Sequence, residues 1–218
     1  MRHILYRKEV SEFIDSLGPI ERVEVKDGVE ITVSDEALEV VKKRAKWVHK
    51  KFSVPVERLE TGIIGQAADA YEAKNNWMEG VEQMTQEPDK FDMLYRGLTI
   101  DDKTFDMRRY STGWIPNSWM AVTKIKFHDP DRQYPLYLGN LRLTDHKVRI
   151  IGFATRRLLE RLESEGSIDN YSDPYEPDAA VIAVKNKDDL IPIKHLNSLI
   201  DWMLDSVLKF NFDRVLGA

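Results

Sequence analysis

The stretch Phe91-Asp-Met-Leu-Tyr-Arg-Gly-Leu-Thr-Ile-Asp-Asp-Lys-Thr-Phe105 constrains this chain more than any other. Strand-prone residues on both sides of Arg96-Gly97 predict a two-stranded hairpin, with Gly97 supplying a positive φ. A two-residue turn there pairs Tyr95 with Leu98, Leu94 with Thr99, Met93 with Ile100, and Asp92 with Asp101. Alternation along a strand then puts Asp92, Asp101 and Lys103 on one face, and Ile100, Asp102 and Thr104 on the other. Opposed carboxylates repel at Cβ separations of about 5 Å. A chain that needed only a stable sheet gains nothing from them, whereas a hard divalent cation turns the repulsion into shared attraction. A lysine beside them is placed to hold a phosphate or an attacking water. The other reading of the same residues is an exposed hairpin with solvated charges.

At these residues the sequence resembles the PD-(D/E)XK nuclease superfamily, whose core motif is an acid on one strand and acid-x-Lys on the next. Gly97-Leu-Thr-Ile-Asp-Asp-Lys-Thr104 is similar to the family's Gly-x-x-Ile-Asp-Val-Lys-Thr. The resemblance implies metal ligands at Asp92 and Asp101, a ligating backbone carbonyl at Asp102 and a catalytic lysine at Lys103. Upstream, Thr61-Gly-Ile-Ile-Gly-Gln-Ala-Ala-Asp-Ala-Tyr71 resembles the family's first core helix, with Gln66 where many members carry a glutamate that reaches the metal or its waters. A neutral amide lowers the charge on offer, and Asp69 or Glu72, about a turn further along, could substitute. Gly62, Gly65, Ala67 and Ala68 equally suit close helix-sheet packing. Asp102 stands where the family places an aliphatic residue, and a buried carboxylate needs a partner. Pro88-Asp89 offers a rival first acid, but the hairpin register favours Asp92. Gln133 and Tyr137 have the spacing of the Gln-x-x-x-Tyr element of RecB-like nucleases, yet Pro135 argues against the helix that element requires.

Hydrophobic content of 42% and charged content of 32% describe a globular chain. A net charge of −5 exerts no overall pull on nucleic acid, so a nuclease would need a local basic groove. Cysteine is absent, which excludes disulfides, thiolate metal sites and cysteine nucleophiles. The histidines have no metal-ligand spacing, and no serine nucleophile context occurs. The first residues lack the apolar core of a signal peptide, and no run approaches the ~18 apolar residues of a membrane span. A cytoplasmic protein with no membrane partner is expected.

In chain order the patterns predict a helix at 7–17, a hairpin turning at Asp27-Gly28, and a basic amphipathic helix capped by Ser34. A helix from Val56 to about Asn76 follows, then a polar loop over 77–90 holding one short strand. After the motif, Arg108 and Arg109 beside Trp114 and Trp119 suit phosphate and base contacts, or else a tryptophan-anchored loop. Val122 to Phe127 predicts a strand with a basic face carrying Lys124 and Lys126. Strands at 134–143 and 147–153, a helix capped by Thr155, an acidic loop at 166–178, a strand at 179–184 and a helix from Ile193 to about Phe210 complete the chain. That last helix has a broad apolar face, which either completes the core or builds a dimer.

The expected fold class is α/β, a mixed central sheet flanked by helices. The resemblance places a restriction-endonuclease-like core at 54–165, with an N-terminal addition at 1–53 and a C-terminal strand and helix at 166–218 packing on the core. It implies Mg²⁺- or Mn²⁺-dependent hydrolysis of DNA phosphodiester bonds by Asp92, Asp101, Lys103 and Gln66. Arg108, Arg109, Lys124 and Lys126 are the expected phosphate contacts, and a homodimer is one route to paired cuts. The alternative is a nucleic-acid-binding or assembly module on the same scaffold that does not cut, which Gln66 and Asp102 favour.

Overall fold

The computed structural model describes residues 4–76, 80–85, 91–110, 118–173 and 176–205. Pro88-Asp89, Trp114 and the Arg109 side chain lie outside what is described. An eight-stranded sheet runs in the order β1 (Ile4–Tyr6), β4 (Val81–Thr85), β5 (Met93–Tyr95), β6 (Leu98–Asp106), β8 (Leu136–Arg142), β9 (Lys147–Thr155), β3 (Gly28–Val33) and β2 (Ile20–Val25). Its β6–β8 pair is parallel and its other pairs are antiparallel, so the sheet is mixed. A three-stranded sheet joins β10 (Ile168–Asp173), β11 (Glu176–Val184) and β7 (Met120–Thr123).

Helices cover both faces of the large sheet. On one face, α1 (Arg7–Ser16), α2 (Asp35–Phe52), α3 (Val56–Asn76) and helical residues 196–205 bury Phe13, Val41, Ala45, Ile64, Ala68 and Ile200 against Ile100, Leu136, Leu138 and Ile150. On the other, Phe105, Tyr137, Leu141 and Ile151 meet Met120, Val122, Leu159 and Ile182 from the small sheet and α5 (Arg156–Ser164). The local signals behind these elements hold. Ser34 Oγ accepts a hydrogen bond from Ala37 N at 3.2 Å, Asp35 and Glu36 occupy the first turn of α2, and His49, Lys50 and Lys51 occupy its last.

Two expectations are corrected. The strand predicted over Val122–Phe127 stops at Thr123 and continues as a helical turn, α4 (Lys124–Phe127). Phe127 is buried while Ile125 is 84% exposed, a separation that one strand face cannot produce. The loop expected over 166–178 holds β10, a polar strand on the open edge of the small sheet, where only one side needs a partner. Residues 1–53 contribute strands to the large sheet, with β3 paired to β9 and β1 to β4. Among the described residues no helix is long and apolar enough to cross a membrane.

Candidate active site

The hairpin of β5 and β6 forms three of the four expected pairs, Tyr95 opposite Leu98, Leu94 opposite Thr99 and Met93 opposite Ile100, while the fourth, Asp92 opposite Asp101, is not part of the ladder because β5 begins at Met93. Arg96 (φ 48°) and Gly97 (φ 78°) both adopt the left-handed conformation, as a two-residue turn matching the twist of its strands requires. At the open end of the hairpin, Asp92 N donates to Ile100 O at 3.0 Å. The Asp92 carboxylate then folds across: Oδ2 accepts from Asp102 N at 2.7 Å, and Oδ1 accepts from Gln66 Nε2. Lys103 makes an ion pair with Asp101, both side chains mostly buried, and its Nζ lies 3.4 Å from the Asp102 carbonyl oxygen. Asp92, Asp101, Lys103 and Gln66 are thus brought together by β5, β6 and α3.

Electrostatics bind the group tightly. The enclosing protein pushes the Asp92 carboxyl well above its ordinary value, and the charges of Asp101 and Asp102 push it further. Burial alone would pull the Lys103 ammonium down, but Asp101 and Asp92 outweigh that and leave it raised. Lys103 is therefore a cation fixed on Asp101 and further stabilised by the charge of Asp92.

The face of β6 turned toward α3 is polar where the family pattern is apolar. Asp102 Oδ2 accepts from Thr104 Oγ1 at 2.8 Å, and Oδ1 accepts from Asn140 Nδ2 at 2.9 Å. The same Asn140 nitrogen reaches both oxygens of Asp69 at 2.9 and 3.0 Å. Further along, Thr61 donates to Asp106 and accepts from the buried Arg142. The seam exists because β6 carries Asp102, Thr104 and Asp106 at alternate positions, and β8 carries Asn140 and Arg142 likewise, in register beside them. Sequence reasoning put Thr104 on the Asp102 face without giving it a role and did not single out Asn140; polar residues at period two in an apolar strand were the signal.

Other expected contributors are engaged elsewhere. Glu72 is buried in a two-point ion pair with Arg22, at 2.7 and 3.0 Å, so of the two substitutes for a glutamate at position 66 only Asp69 is near. Arg108 is held by Asp106, at 2.7 and 2.6 Å, and by Asp145. Lys124 pairs with Glu163 at 2.9 Å, and Lys126 shares its helical turn rather than a strand face.

The donor set suits a hard divalent cation. Gln66 Nε2 is directed at two acceptors, Asp92 Oδ1 and Thr85 O at 3.0 Å, which fixes the amide; its Oε1 is buried without a partner. A buried carbonyl-type oxygen left unsatisfied beside the Asp92 carboxylate is what a cation or its bound water would complete. The charge is modest: among the described residues no three acidic, imidazole or thiol side chains gather at one point. Comparison with protein-family models, with curated proteins and with solved structures returns no match.

Proposed function

We propose that this chain is a metal-dependent nuclease of the PD-(D/E)XK type, with a restriction-endonuclease-like core built on α3, β5, β6, β8 and β9. The observation that carries the reading is the joint placement of Asp92, Asp101 and Lys103 at the open end of one hairpin, with Gln66 reaching in from α3. Asp92, Asp101, the Asp102 carbonyl and Gln66 Oε1 would hold Mg²⁺ or Mn²⁺. When bound, such an ion supplies polarisation of the phosphate and a lowered pKa for a coordinated water. Lys103, kept cationic by the acids around it, offsets the negative charge that grows on the phosphate during attack. Gln66 fixes the Asp92 rotamer, and the Asp102 N–H fixes its second oxygen. DNA is the proposed substrate, and two copies of the chain would serve paired cuts.

A neutral Gln66 and the carboxylate of Asp102 favour a second reading, a nucleic-acid-binding or assembly module on the same scaffold that does not cut. The two separate cleanly when plasmid, single-stranded and four-way-junction DNA are incubated with Mg²⁺ or Mn²⁺ and wild type, Asp101→Ala or Lys103→Ala. Cutting by wild type that both substitutions abolish carries the nuclease reading. No cutting, together with no calorimetric binding of Mn²⁺, overturns it in favour of the second.

A further inference from the structure

The Asp102 peptide is the shared support of the site: its N–H holds Asp92 Oδ2 at 2.7 Å and its carbonyl faces Lys103 Nζ. Whatever fixes that peptide fixes the acid and the lysine relative to each other. Its own side chain is anchored at both oxygens, by Thr104 and by Asn140. Asn140 is fully buried, and its amide nitrogen joins Asp102 on β6 to Asp69 on α3. Both hydrogens of that amide are used, one toward each carboxylate.

We infer that Asn140 is a positioning residue, bridging Asp69 and Asp102 so that the Asp102 peptide holds Asp92 and Lys103 in the geometry that binds the metal. This rests on the nuclease reading. Asn140 touches no substrate, so its effect must pass through the metal ligands and not through DNA contacts. The bridge also accounts for Asp102, whose carboxylate is otherwise a liability beneath a strand. It gives the α3 acid Asp69 a structural purpose, holding the donor and leaving ligation to Asp92 and Asp101.

The test compares wild type, Asn140→Asp and Thr104→Val for Mn²⁺ affinity by calorimetry, and for kcat and KM on duplex DNA at saturating Mn²⁺. Asn140→Asp keeps the shape but turns the donor into an acceptor facing two carboxylates. Thr104→Val is isosteric and removes the other anchor of Asp102, so the question stays answerable if Asn140→Asp does not fold. Loss of supporting contacts around metal ligands commonly costs about 10- to 100-fold in affinity or activity. The expected result is Mn²⁺ binding weakened roughly tenfold or more in Asn140→Asp, a smaller loss in Thr104→Val, kcat reduced in the same order, and KM for DNA within about twofold. Folded variants with wild-type Mn²⁺ affinity and kcat overturn the inference and leave the nuclease reading standing. Wild type that neither binds Mn²⁺ nor cuts overturns both.

Discussion

Lys103 is mostly buried, ion-paired with Asp101 and kept cationic by Asp101 and Asp92, so its removal should be felt before any catalysis is measured. Breaking a mostly buried pair by deleting one partner costs several kcal/mol. Lys103→Met should therefore destabilise the metal-free protein by roughly 3 kcal/mol in urea denaturation, and Mn²⁺ should recover part of that loss. A variant as stable as wild type without metal would show that the acids are solvated instead. The pH dependence follows from the same residues. Asp69, Asp92 and Asp102 all have carboxyl groups raised by burial and by neighbouring acids, so the folded state favours their protonated forms. Groups raised in this way stabilise fully below the unfolded value, near pH 4, and lose that contribution as pH rises through their folded values. Without metal, the urea midpoint should fall as pH is raised from about 5 to 8, and saturating Mn²⁺ should flatten the slope. A midpoint that climbs over that range without metal would contradict the placement of these acids.

At the scale of elements, the site depends on how close α3 comes to β6. A Cβ on Gly65 would lie 1.9 Å from Thr104 Oγ1 and 2.9 Å from Asp102 Oδ2, whereas one on Gly62, a turn earlier, meets nothing within 4 Å. Gly65→Ala should therefore destabilise by about 1–3 kcal/mol through overpacking, and weaken Mn²⁺ binding because Gln66 and Asp69 follow on the same helix. Gly62→Ala should stabilise by up to about 1 kcal/mol from helix propensity alone. Equal effects from the two, measured by thermal and urea denaturation, would refute the close approach. The glycines looked alike in the sequence, and only the partner strand separates them. The hairpin was legible from its turn to the Met93–Ile100 pair because turn chemistry and alternation agree there, but not at Asp92, whose N–H bonds Ile100 O in place of a ladder pair with Asp101. The seam was not, because it arises from register between β6 and the sequence-distant β8. Likewise β10 carries too little apolar alternation to declare itself, and Lys124–Phe127 satisfies a period of two while folding as a turn whose burial is settled by the small sheet.

For the whole molecule, the question is whether residues 1–53 are an appendage or part of one cooperative unit. The segment shares the large sheet: β3 lies against β9, with Val29 opposite Ile150 and Ile31 opposite Val148. Val29, Ile31, Val33, Leu38, Val41 and Ala45 from this segment are buried in the same cluster as Ile64, Leu136 and Ile150 from the proposed core. Burying each larger aliphatic side chain is worth about 1.5–3 kcal/mol. Losing several together exceeds the roughly 5–15 kcal/mol that holds a domain folded. Deletion would also uncover the paired edge of β9, an invitation to association. A chain beginning at residue 54 should accordingly aggregate or show no cooperative thermal transition, and should bind a hydrophobic dye where the full chain does not. If that truncated chain instead unfolds cooperatively and retains Mn²⁺ binding, the first 53 residues are an addition to an autonomous core, and the site needs only α3 and the strands from β4 onward.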